Sequence, residues 1–407
     1  MFNNKLNFNI LFILLLIFYF PFFSIFTHST KEGFLFNINS WVNILSINFS
    51  LIIIIKHKYY FYFYKKVLFL IFVLYLTYVL NYTLTQYSSF KWLLNSFGFI
   101  FIFYAVVCTI LNSDNIFNNI FFKYSKLTIL LILSTLIILF IITYLLKTSE
   151  IYYNFQKNYF NGIIHQLTII FNISKQKLGL LLNILVIWHI SFWEKICFRN
   201  KIFFFIFLCI GFPFFIGIRT SLLTIILILL FLYTIKIKFL LLFLFLIISV
   251  FITLNYNLLY SLIKSNYDRL PSLLFSFSFL KSNIFGIGNG GYHIYVSEMQ
   301  DILTYRFSTN TKSFWLAPES DLVYFISSFG ILSSIFFLLY IYLIINCMKI
   351  FKFNSLVFTI RFFMLLSISI IFSGISQDFA ANLIWWVLLA LGFGVIFNCK
   401  KTLPSNN

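Results

Sequence analysis

The residues able to do chemistry crowd into one interval, 261 to 321 of a 407-residue chain. It holds five of the ten carboxylates (Asp268, Glu298, Asp301, Glu319, Asp321), two of the five arginines (Arg269, Arg306), His293, and the glycines Gly286, Gly288, Gly290 and Gly291. Carboxylates and a histidine at that density supply general bases. Arginines supply charge that persists when partly desolvated, on a planar fork that grips a phosphate through two N–H groups. A further arginine, Arg219, stands in the tight turn Gly217-Ile218-Arg219-Thr220-Ser221. Lysine is the default cation here, 24 against 5 arginines, so Arg219 reads as a phosphate ligand, with a snorkelling helix-end anchor as the alternative.

Glu319-Ser320-Asp321 follows Pro318 where the polar interval meets an apolar run. A carboxylate there suits a helix N-terminus, where the dipole and unpaired N–H groups stabilise it. Capping accounts for one of the two, leaving the other as a base toward a substrate hydroxyl. Glu319 is the first candidate, Asp321 and His293 the others. Arg306, with Lys264, Lys281 and Lys312, reads as solvated loop charge, and Arg306 is retained as an additional phosphate ligand. Gly286-Ile-Gly288-Asn-Gly290-Gly291 formally fits G-x-G-x-x-G, but a dinucleotide site needs a soluble strand-turn-helix unit around it. It reads instead as a close-packed turn whose N–H groups line an anion site, or as a plain loop turn. The Glu-x-Asp pair finds only Glu32 in the first loop to share a divalent cation, so neither metal nor cofactor is expected.

The elements that must position these groups follow from composition. The chain is 61% hydrophobic and 10% charged with mean hydropathy +0.98, far from the balance of a soluble domain. The fold class expected is all-α integral membrane, a single polytopic domain over 1–407. A bilayer core of about 30 Å takes roughly 20 apolar residues as helix, and runs of that length exclude an outer-membrane barrel. About 12 transmembrane helices are expected, at 8 to 26, 36 to 55, 67 to 84, 93 to 111, 127 to 146, 178 to 193, 202 to 218, 220 to 235, 239 to 260, 321 to 345, 356 to 377 and 383 to 397. The first lacks an A-x-A-like cleavage site after it and reads as a signal anchor.

Cationic residues flanking spans stay on the cytoplasmic side. With both termini cytoplasmic, sixteen such residues, from Lys5 to Lys401, lie inside, against Lys31, Lys91 and Arg219 in the short outer loops. The net charge of +19 is then a topology signal aided by anionic lipid headgroups, and calls for no nucleic acid. Both long connections, 147 to 177 and 261 to 320, emerge outside, the second as a large periplasmic loop between helices 9 and 10. Within it a short interfacial helix is expected from Pro271, then a glycine turn, then a second helical piece near 293 to 305. The five cysteines (Cys108, Cys197, Cys209, Cys347, Cys399) fall in spans or inside, implying no disulfide framework. Span interiors hold few ionisable groups, namely His189 and Arg361, the latter one turn inside the inner end of its helix. That scarcity argues against an ion-coupled carrier.

Three segments carry a resemblance. They are the Gly217–Ser221 turn; Asp268-Arg269 followed by Asn283-Ile-Phe-Gly286-Ile-Gly288; and Glu319-Ser-Asp-Leu-Val-Tyr-Phe-Ile-Ser-Ser-Phe-Gly330-Ile331. Jointly, over about 175 to 345, they resemble the family of O-antigen polymerases and ligases, membrane transferases acting on undecaprenyl-diphosphate-linked glycans. Two positions depart from its pattern: Ile284 replaces a usual proline, and Glu319 stands where ligases usually carry histidine, which favours a polymerase. The resemblance implies an inverting, metal-independent reaction at the periplasmic face of the bacterial inner membrane. A hydroxyl of one lipid-linked repeat attacks the anomeric carbon of another. Arg219 and Arg269, with Arg306, Gly286 and Gly288, would hold the diphosphate, and Glu319, Asp321 or His293 would serve as base. The partners implied are the undecaprenyl-diphosphate-linked glycan, the bilayer and a polysaccharide chain-length regulator. The alternatives are a ligase or other lipid-linked glycan transferase, and a repeat-unit flippase.

Overall fold

Long runs of Leu, Ile and Phe leave the backbone one way to satisfy its N–H and C=O groups within a single segment in hydrocarbon, and the chain takes it. The computed structural model describes residues 4–24, 38–56, 65–112, 119–145, 175–197, 201, 224–228, 283–292, 295, 320–351, 357–374 and 382–402; every regular element among them is helical. α1 is Asn4–Leu14, continued through a π turn at Leu15–Tyr19 into Phe20–Ser24. Pro21, which has no N–H to donate, sits just past that wider turn.

Then come α2 (Ile38–Lys56), α3 (Lys65–Leu84), α4 (Phe90–Leu111), α5 (Asn119–Leu145) and α6 (Lys175–Phe192), which ends in a 3-10 turn at Trp193–Lys195. After a helical turn at 224–228 follow α7 (Asp321–Phe329), a 3-10 turn at Gly330–Leu332, α8 (Ser333–Phe351), α9 (Phe358–Gly374) and α10 (Leu383–Thr402). Among the described residues five stretches are long and apolar enough to cross a membrane, including Lys65–Leu84, Phe90–Leu111 and Lys177–Lys195. The chain is an all-α membrane protein.

Helices stand where the spans at 8 to 26, 36 to 55, 67 to 84, 93 to 111, 127 to 146, 178 to 193, 356 to 377 and 383 to 397 are expected. The spans at 202 to 218 and 239 to 260, most of 220 to 235, the loop 147 to 177 and both interfacial helices lie outside the described residues, apart from a few isolated positions. One expectation is corrected. The span 321 to 345 is not one helix but two, folded on each other. The rings of Phe325 and Phe336 stack at 4.3 Å and Phe325 reaches Tyr340 at 6.1 Å, whereas residues 11 and 15 apart on a straight helix stand about 16 and 22 Å apart.

The centre of the bundle is α10, packed on α4 and α9, with α6 against α9. Its approach is close because Gly392 faces Ser367 and Gly394 faces Ile110, where a Cβ would collide. The outer faces are apolar too. Phe69, Phe72, Leu76 and Val79 form an exposed stripe on α3, and Leu338, Ile341, Ile345 and Met348 form one on α8. At three- and four-residue spacing these are faces turned to lipid, so phenylalanine serves both the core and the bilayer contact.

Candidate functional site

The glycine-rich turn has no regular structure of its own, so its backbone groups must find partners elsewhere. They find them on α3, on the connection from α3 to α4 and at the α7–α8 break. Ile287 and Gly288 donate to the carbonyls of Ser327 and Ser328 at 2.8 and 3.0 Å, and Ile331 donates back to Ile284 at 2.8 Å. Asn81, buried in α3, donates to Ser328 O at 2.7 Å and accepts from the Asn289 amide at 2.9 Å. Asn289 in turn donates to Ser96 Oγ at 2.9 Å and accepts from the Tyr324 hydroxyl. A loop, two helices and the broken helix are thereby tied through one buried polar knot.

Two further amides of the turn are engaged as well: Gly286 donates to Asn283 O at 2.9 Å and Gly291 to Gly288 O at 3.0 Å. Neither Gly286 nor Gly288 keeps an amide for an anion in this arrangement. The expected glycine turn is present, and its work is fastening. Beside it Tyr295 meets Tyr87 edge-on at 5.6 Å, and burial raises the Tyr295 phenol above its ordinary range.

At the start of α7 the cap is Ser320, whose Oγ accepts from the Val323 amide at 3.2 Å. A carboxylate is therefore not needed as the cap residue, contrary to expectation. Asp321, in the first helical turn, is 1% exposed. Its Oδ2 accepts from the Tyr340 hydroxyl at 3.3 Å, and that hydroxyl accepts from Trp385 Nε1 at 2.8 Å. Because the indole can only donate, the phenol's own hydrogen is left for Asp321, and the chain of donors ends on the carboxylate. On its other side Asp321 lies against Gly374, the last residue of α9, where any Cβ would collide with the carboxylate.

Asp321 lies against the terminal residue of α9, and because α7 folds back along α8 it stands level with Tyr340, seven residues and about 10 Å from the start of α8. The far end of the bundle, where Arg361 and Lys400 stand, is about 20 Å away along α9 and α10.

A third segment reaches the same place. Thr224 Oγ1, five residues after Arg219, is 2.9 Å from Ser373 Oγ, and Ser373 immediately precedes Gly374. The helix that follows the Gly217–Ser221 turn thus packs beside the α9 end that holds Asp321. Arg219, Arg269, Arg306, His293 and Glu319 lie outside the described residues. Tyr340, Trp385, Gly374 and Asn81 belong to the site but were not singled out from sequence; the available signal was a polar or small residue interrupting an otherwise apolar run. His189, 4% exposed, has its Nδ1 2.8 Å from the carbonyl of Leu185 one turn back, well away from this cluster in sequence and in packing. Compared with protein-family models, with curated proteins and with solved structures, the chain matches none of them.

Proposed function

We propose that the chain polymerises lipid-diphosphate-linked oligosaccharide repeats, as an O-antigen polymerase at the periplasmic face of a bacterial inner membrane. The observation that carries this reading is convergence. Described parts of two of the resembling segments, and the residues just after the third, lie close together: the glycine turn docks on Ser327 and Ser328, Asp321 lies against Gly374, and Thr224 meets Ser373 beside it. In the proposed topology twelve spans leave both termini cytoplasmic, and the end bearing Arg361 and Lys400 is the inner one. Asp321 then lies in the outer half of the membrane, open to a periplasmic substrate once the site admits one.

In this reading the acceptor hydroxyl attacks the anomeric carbon of the donor repeat with inversion, forming the new glycosidic bond as the bond to the lipid diphosphate breaks. The leaving diphosphate carries the electron pair, so its departure needs positive charge more than a strong acid. Arg219 and Arg269 supply that charge, with Arg306 from the same loop. Asp321, fixed by Tyr340 and Trp385, takes the acceptor proton, and Glu319 and His293 orient the acceptor. The chemistry as written uses no metal.

The test is the lipopolysaccharide banding of a strain lacking the gene. Core bearing a single repeat is expected, with the ladder gone; loss of the single band as well would overturn the polymerase reading in favour of a ligase or carrier. A second prediction concerns the arginines. Arg219→Ala and Arg269→Ala are each expected to cut polymer formation about 10²-fold with protein level unchanged. Lysine at either position should rescue poorly, because it lacks the bidentate fork. Normal ladders in both alanine variants would sink the diphosphate clamp.

One observation favours a second reading, a carrier of the same lipid-linked glycan. Asp321 is a buried ionisable group at the start of a broken helix, an arrangement carriers use to hold a coupling ion. The banding experiment separates the two, since loss of a carrier removes the single-repeat band.

A further inference from the structure

Two cations at the end of the bundle opposite Asp321 share one ring. Lys195 Nζ stands 4.8 Å and Arg361 Cζ 5.7 Å from the centroid of Phe358, which leaves the two charges about 10 Å apart at most, within a Debye length. Lys195 closes the turn after α6 and Arg361 lies in the first turn of α9, so the packing of those two helices brings them together. Like charges at that distance repel, and one aromatic face offsets only part of the repulsion. More positive charge gathers nearby. Lys201 sits over Trp193 at 4.8 Å, and Lys123 and Lys126 lie early in α5, where Phe121 and Phe122 pack on Phe363 and Phe192. The described carboxylate at this end is Glu194, exposed on the turn beside Lys195.

A second observation points to a ligand. Arg361 Nε is buried with no hydrogen-bond partner among the described residues. A guanidinium N–H withdrawn from water calls for an acceptor, and the best match for that planar fork is an anionic oxygen pair. Beside the two cations an apolar edge remains open: Val357 is exposed, and Phe358, Ile360 and Trp193 are partly so.

We infer that Lys195 and Arg361, set on Phe358, form a binding site for the phosphate of an anionic phospholipid where α6 meets α9. Arg361 presents its two terminal N–H groups to two phosphate oxygens, and Lys195 adds a point charge from the neighbouring helix. The acyl chain lies along Val357, Ile360 and Trp193. That apolar edge is why a lipid, and not free phosphate, is the source of the anion. The site stands apart from Asp321 and does not depend on the proposed activity.

The test uses the full chain in detergent, with retained lipid read by native mass spectrometry. The wild type is expected to retain phosphatidylglycerol over phosphatidylcholine by about 5-fold or more. Lys195→Gln with Arg361→Gln should abolish the preference, while Lys65→Gln with Lys66→Gln, exposed cations at the start of α3, should leave it intact. Equal loss in both pairs would mean diffuse charge and overturn the site. Should the paired glutamine variant fail to fold, Arg361→Lys carries the test: it keeps the charge but loses the fork, and the preference should fall several-fold. An unchanged preference there also overturns the proposal. Inorganic phosphate at millimolar concentration is expected not to displace phosphatidylglycerol; full displacement would identify a free-phosphate site instead.

Discussion

Asp321→Asn is expected to lower polymer formation about 10³-fold while leaving the protein at its normal level in the membrane. Asparagine has the carboxylate's shape and keeps an oxygen for the Tyr340 hydroxyl, so the donor chain from Trp385 through Tyr340 still ends on an acceptor. What it loses is the capacity to take a proton. Asp321→Ala is the less informative change, because it removes the acceptor from a buried phenol at a cost of about 1–3 kcal/mol and opens a cavity beside Gly374. The measurement is turnover of lipid-linked repeats by purified protein, paired with banding in the complemented strain. A single-repeat band in that strain is expected. A normal ladder would show that Asp321 is only a packing residue, and a missing single band would move the argument to the carrier.

Much of this architecture was legible from the chain. Runs of about 20 apolar residues read as helices because hydrocarbon admits few alternatives, and α3, α4 and α9 stand within a few residues of where hydropathy sets them. Gly286, Gly288 and Asp321, all in the polar interval, belong to one docked region. The fold-back was not legible. Hydropathy sums a window and is blind to direction, so Asp321–Phe329 and Ser333–Phe351 read as one long span although the chain turns back between them. The partners of Asp321 were hidden for a related reason. Tyr340 and Trp385 lie in apolar runs where an aromatic residue carries no signal, and only the fold-back of α7 brings Tyr340 to a residue nineteen positions before it. The amides of Gly286 and Gly288 were read as ligands because sequence shows a glycine's freedom but not where its N–H group is spent.

The fold-back depends on Gly330, and Gly330→Ala is expected to destabilise the protein by about 3 kcal/mol or more. Its φ of 56° with ψ of −128° lies where L side chains rarely go. Space forbids a Cβ as well: it would collide with the carbonyl of Ile284 and the amide of Gly286. Gly286 answers in kind, with φ of 81° and a Cβ that would stand 2.6 Å from the Ser328 carbonyl. Two backbones thus cross without side chains between them, and the crossing is held by the bonds of Ile287, Gly288 and Ile331. Separating them by one methyl group breaks several of these bonds together, frees α7 from α8 and removes Asp321 from Tyr340. Thermal unfolding in detergent should drop by about 4 °C, with activity lost in proportion. Ile331→Ala is the matched control, since that side chain is 59% exposed toward lipid and its loss should change stability by about 0.5 kcal/mol or less. Equal melting of the two variants would mean that the crossing is loose, and the buried position of Asp321 would then need another support.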